Sequence, residues 1–302
     1  MPDLSTHFAF AVLPSVFFKR FRNLFFFFAF GAILPDIPPA FYVAMDYGFN
    51  LFNFDPTFAI WYMQPWHTPL GGMLLGVVAF LLFGNKVNDL LAIFAGIISH
   101  FILDSIQKRI GISLLLGYPF YFKDLFDGLL FSDHILFLVF SIISTLFLIF
   151  VLLTFKLPVV RLRISFFRLI GILFFLTIIF ILPFFTKEFF YKSDFHYLNF
   201  FKDPSSYEGK NVAICVAEVI SINPWKIKEL NHVIEFVPPP QYINRINIKD
   251  NISFKGLYKD NRIYVNFLYL HKRYRFKVLF SLVGLVLFVI FFIFNYQKEA
   301  EL

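Results

Sequence analysis

The chain has 302 residues and a formal charge of +7; 59% of it is apolar and 22% aromatic, with 49 Phe, and only 16% is charged. So large an apolar excess excludes an ordinary water-soluble enzyme, and so many aromatics exclude a disordered chain. The positive balance points to loops on the inner face of a membrane and to lipid contact rather than to nucleic acid.

In chain order, apolar segments are predicted at 7–18, 24–45, 67–84, 90–105, 131–155, 164–186 and 278–295. About 20 apolar residues in a helix cross a hydrocarbon core roughly 30 Å thick. The expected fold is therefore a mainly α membrane protein, a bundle of about seven transmembrane helices. Residues 1–186 form its helical membrane domain, and residues 278–302 add a last transmembrane helix and a short tail. The Phe-rich segments read as lipid-facing helices. No cleavable leader is expected, because no basic residue precedes the first apolar stretch. Cys215 is the only cysteine, so no intramolecular disulfide is possible.

Residues 187–277 are different in kind, holding 15 of the 27 basic and 9 of the 20 acidic residues and alternating apolar with polar positions. A soluble β domain is expected there, with strands at Asn211–Ile222, Asn231–Val237, Ile252–Tyr258 and Arg262–Leu270. Asn223-Pro224 and Asp260-Asn261 supply turns. Lys19, Arg20, Arg22, Lys86, Lys156, Arg161, Arg163 and Arg168 fall on one face if the segments alternate, against Lys108, Arg109 and Lys123 in the short loops of the other. The first face is then cytoplasmic, and the amino terminus, the 106–130 loop and the β domain are extracytoplasmic.

Ionisable residues within apolar segments are costly and mark function by default. Those in or beside the segments are His7, Asp36, His67, His100, Asp104 and His134. Helical rise places His7, Asp36, His100 and Asp104 roughly 16–23 Å from the cytoplasmic ends and His67 near ~27 Å, on one side of the membrane. His100-Phe-Ile-Leu-Asp104 is an i, i+4 pair that presents imidazole and carboxylate on one helical face. Those are nitrogen and oxygen donors that zinc takes. Read alone, the pair is equally a buried histidine satisfied by its carboxylate.

Asp36 lies among Pro35, Pro38 and Pro39, which break a helix either around a polar cavity or at a solvated end. His67-Thr68-Pro69 also reads as a plain helix start. In Ser132-Asp133-His134, Ser132 is expected to cap a helix, Asp133 to be solvated, and His134 to stand behind the ligands at most. His196, His232 and His271 have no ligand spacing and read as surface or half-buried residues.

Thr6-His7, Gly31-Ala-Ile-Leu-Pro35-Asp36, His67-Thr68-Pro69-Leu70, Ser99-His100-Phe-Ile-Leu-Asp104 and Gly117-Tyr-Pro119-Phe120 occur in that order. This set, over about residues 1–155, resembles the membrane-bound metal-dependent hydrolases of the YdjM type, LexA-regulated inner-membrane proteins similar in motif to zinc-dependent phospholipase C. The resemblance implies metal-ligand roles for His7, Asp36, His67, His100 and Asp104. Many members read Pro-Asp-x-Asp, whereas this chain has Pro38 at the second acidic position, which removes a carboxylate that a second metal or a general base would use. Separately, the β region resembles an OB-fold in its strand order; such barrels bind oligonucleotides or oligosaccharides.

The expected function is a zinc-dependent hydrolase, with one or two ions, acting on a phospholipid or other lipid-linked ester or phosphoester. Asp36 or Asp104 would serve as base. The alternative is a non-enzymatic, metal-stabilised scaffold presenting the OB-like domain to a protein partner; nucleic acid is not an expected partner outside the cell. A transporter would need polar residues continuing to the cytoplasmic side, where the segments are Phe, Leu, Ile and Val.

Overall fold

Asp3 opens the first helix, α1 (Leu4–Phe17), by accepting the Thr6 amide at 3.0 Å. In this computed structural model the described residues are 3–38, 56–111, 114–121, 128–131, 133–155, 161–193, 197–229 and 232–297. After a 3-10 turn at Lys19–Leu24 comes α2 (Phe25–Ile33), which Pro35 ends in a second 3-10 turn, Leu34–Asp36. The rest of the predicted 24–45 segment, from residue 39, lies outside the described residues. Then follow α3 (Pro56–Met63), α4 (Pro69–Phe83), α5 (Val87–Ile106), α6 (Ile135–Thr154) and α7 (Phe166–Lys192). A short α8 (Leu198–Lys202) precedes the strands, and α9 (Tyr274–Gln297) follows them.

Seven spans are not found among the described residues. Among the described residues four helical stretches are long and apolar enough to cross a membrane: Val87–Ile106, Ile135–Thr154, Phe166–Lys192 and Tyr274–Phe294. A fifth exists if Ile60–Trp66 and Pro69–Phe83, bent by 61°, count as one broken span. The first predicted segment is too short, since α1 has 14 residues against the roughly 20 that a span needs, and the described part of the second is broken after the 9 residues of α2 by the turn at Pro35. Nor is the Phe content simply lipid-facing. Phe8, Phe25, Phe26, Phe288 and Phe291 are buried against one another, with Phe25 and Phe291 rings 5.1 Å apart, whereas Phe166, Phe167 and Phe185 on α7 are exposed.

The backbones of α2 and α5 nearly touch. A Cβ on Gly31 would lie 2.1 Å from the Ile93 carbonyl oxygen, and one on Gly96 would lie 2.3 Å from that of Phe28. Paired glycines are how apolar helices approach this closely.

Five strands close into a barrel in the order β1-β2-β3-β5-β4: β1 (Asn211–Ile222), β2 (Trp225–Glu229), β3 (His232–Val237), β4 (Asn251–Lys259) and β5 (Arg262–Leu270). Their alternation buries Val212, Ile214, Ile227, Phe236, Ile252, Phe254 and Ile263, and Phe200 and Phe201 from α8 fill the same core. Asp260 and Asn261 take positive φ of 52° and 58°, as a two-residue hairpin between β4 and β5 requires. The strand missed by the sequence reading is β2: Trp-Lys-Ile-Lys-Glu alternates, but its five residues sit directly against the Asn223-Pro224 turn. The strand expected from Asn231 begins at His232, Asn231 lying outside the described residues.

Two expectations at the junction of barrel and helices are overturned. Asp133 is buried rather than solvated, and so is His271; the imidazole Nδ1 donates to Asp133 Oδ1 at 3.1 Å, and Nε2 meets Ser253 Oγ at 2.8 Å. Pairing across the tertiary structure, invisible to local spacing, places both inside. Burial raises the Asp133 carboxyl, but the His271 hydrogen bond and charge outweigh it and hold the group below the usual carboxylate range. A carboxyl depressed in the folded state stabilises the fold above its unfolded pKa near ~3.9, and that contribution is lost as pH falls through the lower folded value. Asp133→Asn is therefore expected to cost about 1.5–3 kcal/mol at pH 7, the scale of a hydrogen bond to a charged group. Thermal melts in detergent should show the difference shrinking below about pH 4.

Candidate metal centre

Five side chains from four stretches of chain meet at one end of the helices. His7 stands on the first half of α1, and Asp36 ends the 3-10 turn after α2. His67 lies just before α4, where Thr68 caps the helix, accepting from the Gly71 amide at 3.1 Å and donating to the Pro65 carbonyl at 2.6 Å. The plain helix start and the site residue are thus the same feature. His100 and Asp104 sit one turn apart near the end of α5, and all five are buried.

Distances among their polar atoms are short. His67 Nε2 lies 3.1 Å from His100 Nε2, 3.2 Å from Asp36 Oδ1 and 3.3 Å from Asp104 Oδ2. His100 Nε2 is 3.7 Å from Asp104 Oδ2 and 3.9 Å from Asp36 Oδ1, and His7 Nε2 is 3.5 Å from Asp104 Oδ1. Donors bound at about 2.0–2.1 Å to a tetrahedral ion lie roughly 3.3 Å apart, so these separations match ligands around one centre. Two overlapping triads, His7-Asp36-His100 and His67-His100-Asp104, each have ligand atoms within 4.8 Å of one another.

The partners of His100 limit the count. Its Nδ1 donates to the Ala32 carbonyl at 2.8 Å, so that nitrogen carries the proton and Nε2 alone offers a lone pair. The bond exists because Gly31 and Gly96 let α2 and α5 close up, bringing the Ala32 carbonyl against α5. It is the orienting contact that metal-bound imidazoles typically make. The His7 ring stacks on His100 with centroids 4.0 Å apart.

Whether these residues suit a metal is tested by their unsatisfied atoms. Both ring nitrogens of His7, Oδ1 of Asp36 and both carboxylate oxygens of Asp104 are buried without a hydrogen-bond partner. Such atoms cost roughly 1–3 kcal/mol each when nothing satisfies them, and more when charged. Nitrogen and oxygen donors crowded together and lacking hydrogen-bond partners fit a cation better than they fit one another.

The other candidates stand apart. His134 caps α6, its Nδ1 accepting from the Leu136 amide at 3.3 Å, which is the role expected of Ser132; Ser132 and His196 lie outside the described residues. His232 is exposed on β3. In the Gly117–Phe120 motif, the Tyr118 hydroxyl bonds Thr186 Oγ1 at 2.7 Å and ties that loop to α7. Sequence reasoning missed Arg109, whose Nη2 lies 3.3 Å from Asp104 Oδ2. Its place five residues after Asp104, just past the helix end, was the available signal.

Compared with family models, curated proteins and solved structures, the chain matches none.

Proposed function

We propose that this protein is a membrane-embedded, zinc-dependent hydrolase of a phospholipid or other lipid-linked ester or phosphoester, and that His7, Asp36, His67, His100 and Asp104 hold the ion. The observation that carries the reading is the convergence of five buried donors at ligand spacing with five of their atoms unsatisfied. The ordered motifs that resemble the YdjM-type hydrolases contain these same five residues and agree with the reading. Held by these residues, a zinc ion would lower the pKa of a bound water to about 7 and so make a nucleophile available near neutral pH.

The protein's own groups divide the remaining work. Asp104 faces His7, His67, His100 and Arg109 at once, so its oxygens are committed to holding the site together. Asp36 makes fewer close contacts, Oδ1 lying 3.2 Å from His67 and 3.9 Å from His100, and is the carboxylate that would take a proton from an attacking water. A site at one end of the apolar helices meets a substrate whose scissile bond lies at the head-group boundary. Under the lysine and arginine bias that boundary is the extracytoplasmic one.

The OB-like barrel is read as a support at the same end, because His271 and Ser253 are joined to Asp133, just ahead of α6. Purified protein reconstituted in vesicles of mixed phospholipids with zinc should release a phosphorylated head group or a free acyl chain. Asp36→Asn should slow release at least about a hundredfold, as expected for loss of a general base, and by more than its fall in zinc content accounts for. No release above His100→Ala protein from any lipid class would contradict the reading and leave a metal-stabilised scaffold.

A further inference from the structure

Beyond the end of α5 at Ile106 the chain turns extended, and residues 128–130 run beside it. The Lys108 amide donates to the Leu130 carbonyl at 2.7 Å, and that of Leu129 to the Ile106 carbonyl at 2.7 Å. Gly128, at φ +62°, makes this possible, since a Cβ there would lie 2.2 Å from the Gln107 carbonyl oxygen. The clamp fixes Arg109 so that its guanidinium turns back on the buried cluster, with Nη2 3.3 Å from Asp104 Oδ2 and no hydrogen-bond partner of its own. The side chain is 11% exposed, so it stands nearly enclosed beside the ligands.

Charge says what such a group is for. Imidazoles that ligate a metal are neutral, so with a dication bound the two carboxylates and one guanidinium would leave the centre at one positive charge. A positive centre buried among apolar helices is costly until an anion joins it. Asp104 Oδ2 also faces His67 and His100, so a guanidinium one contact away lies within reach of anything held beside those residues. The planar fork of arginine matches a phosphate oxyanion in shape and charge, whereas a neutral carboxyl ester leaves the positive charge uncompensated.

We propose that Arg109 is the anion-holding residue of this site, and that it selects a phosphoester over a carboxyl ester by gripping the non-bridging oxygens. This rests on the metal-hydrolase reading and narrows its substrate class. The test uses inorganic phosphate as probe, titrated calorimetrically into zinc-loaded, detergent-purified protein, with zinc content measured in parallel. Arg109→Gln is expected to weaken phosphate at least tenfold with zinc content unchanged, and Arg109→Lys to weaken it less.

Phosphate affinity unchanged in Arg109→Gln would overturn the assignment. Loss of zinc from both variants would do the same, making Arg109 a structural partner of Asp104. If only Arg109→Gln loses zinc, Arg109→Lys carries the comparison: a loss of about threefold or more supports the assignment, and a smaller change overturns it. Wild-type protein that holds no zinc would instead sink the hydrolase reading and this inference with it.

Discussion

Asp104→Asn is expected to lower zinc affinity more than about a hundredfold, whereas Asp89→Asn, at the other end of the same helix, leaves zinc binding unchanged. Both substitutions remove one buried carboxylate charge. Asp104 faces three histidines at 3.3–3.7 Å, so its loss removes a donor and the charge that offsets a dication. Asp89 accepts the Asn85 and Lys86 amides at 2.7 and 2.9 Å, so its loss weakens a helix start by about 0.5–2 kcal/mol. Zinc content and melting with and without chelator separate the two. Equal zinc loss in both would show that the ligand set is wrong. Zinc retained in Asp104→Asn would favour a buried histidine that Asp104 merely satisfies.

The second large effect lies away from the donors. Gly96→Leu forces a Cβ to within 2.3 Å of the Phe28 carbonyl oxygen, so α2 and α5 must separate. Overpacking of this kind costs about 3 kcal/mol or more where backbone rather than a side chain must yield. Separation also breaks the 2.8 Å bond from His100 to the Ala32 carbonyl, so zinc should be lost along with stability. Ile98→Leu, at an exposed position of the same helix, is the control and should change neither. A Gly96→Leu protein that melts like wild type would show that the helices do not meet at these glycines.

The five donors were legible because charge inside apolar segments is conspicuous, and i, i+4 spacing places His100 and Asp104 on one face without further information. The barrel was legible from alternation, apart from β2, too short to separate from its turn. The number of spans was not. A run of apolar residues looks the same whether it crosses the membrane or, like α1 and the buried phenylalanines of α2, fills the bundle. The burial of Asp133 and His271 is not legible in the sequence, because each is satisfied by the other across 138 residues and no local pattern records such a pairing. From the sequence Arg109 reads only as loop charge, since its approach to Asp104 depends on the clamp by residues 128–130.

The central claim is that these buried histidines and aspartates hold a metal ion. Elemental analysis of the detergent-purified wild-type protein, beside His100→Ala, tests it most directly. Because His100 offers a single free nitrogen shared by both triads, about one zinc per chain is expected in the wild type, removable by chelator with a fall in melting temperature, and almost none in the variant. A wild type free of zinc and other divalent transition metals after purification in their presence, or a His100→Ala protein that binds as much as wild type, would contradict it.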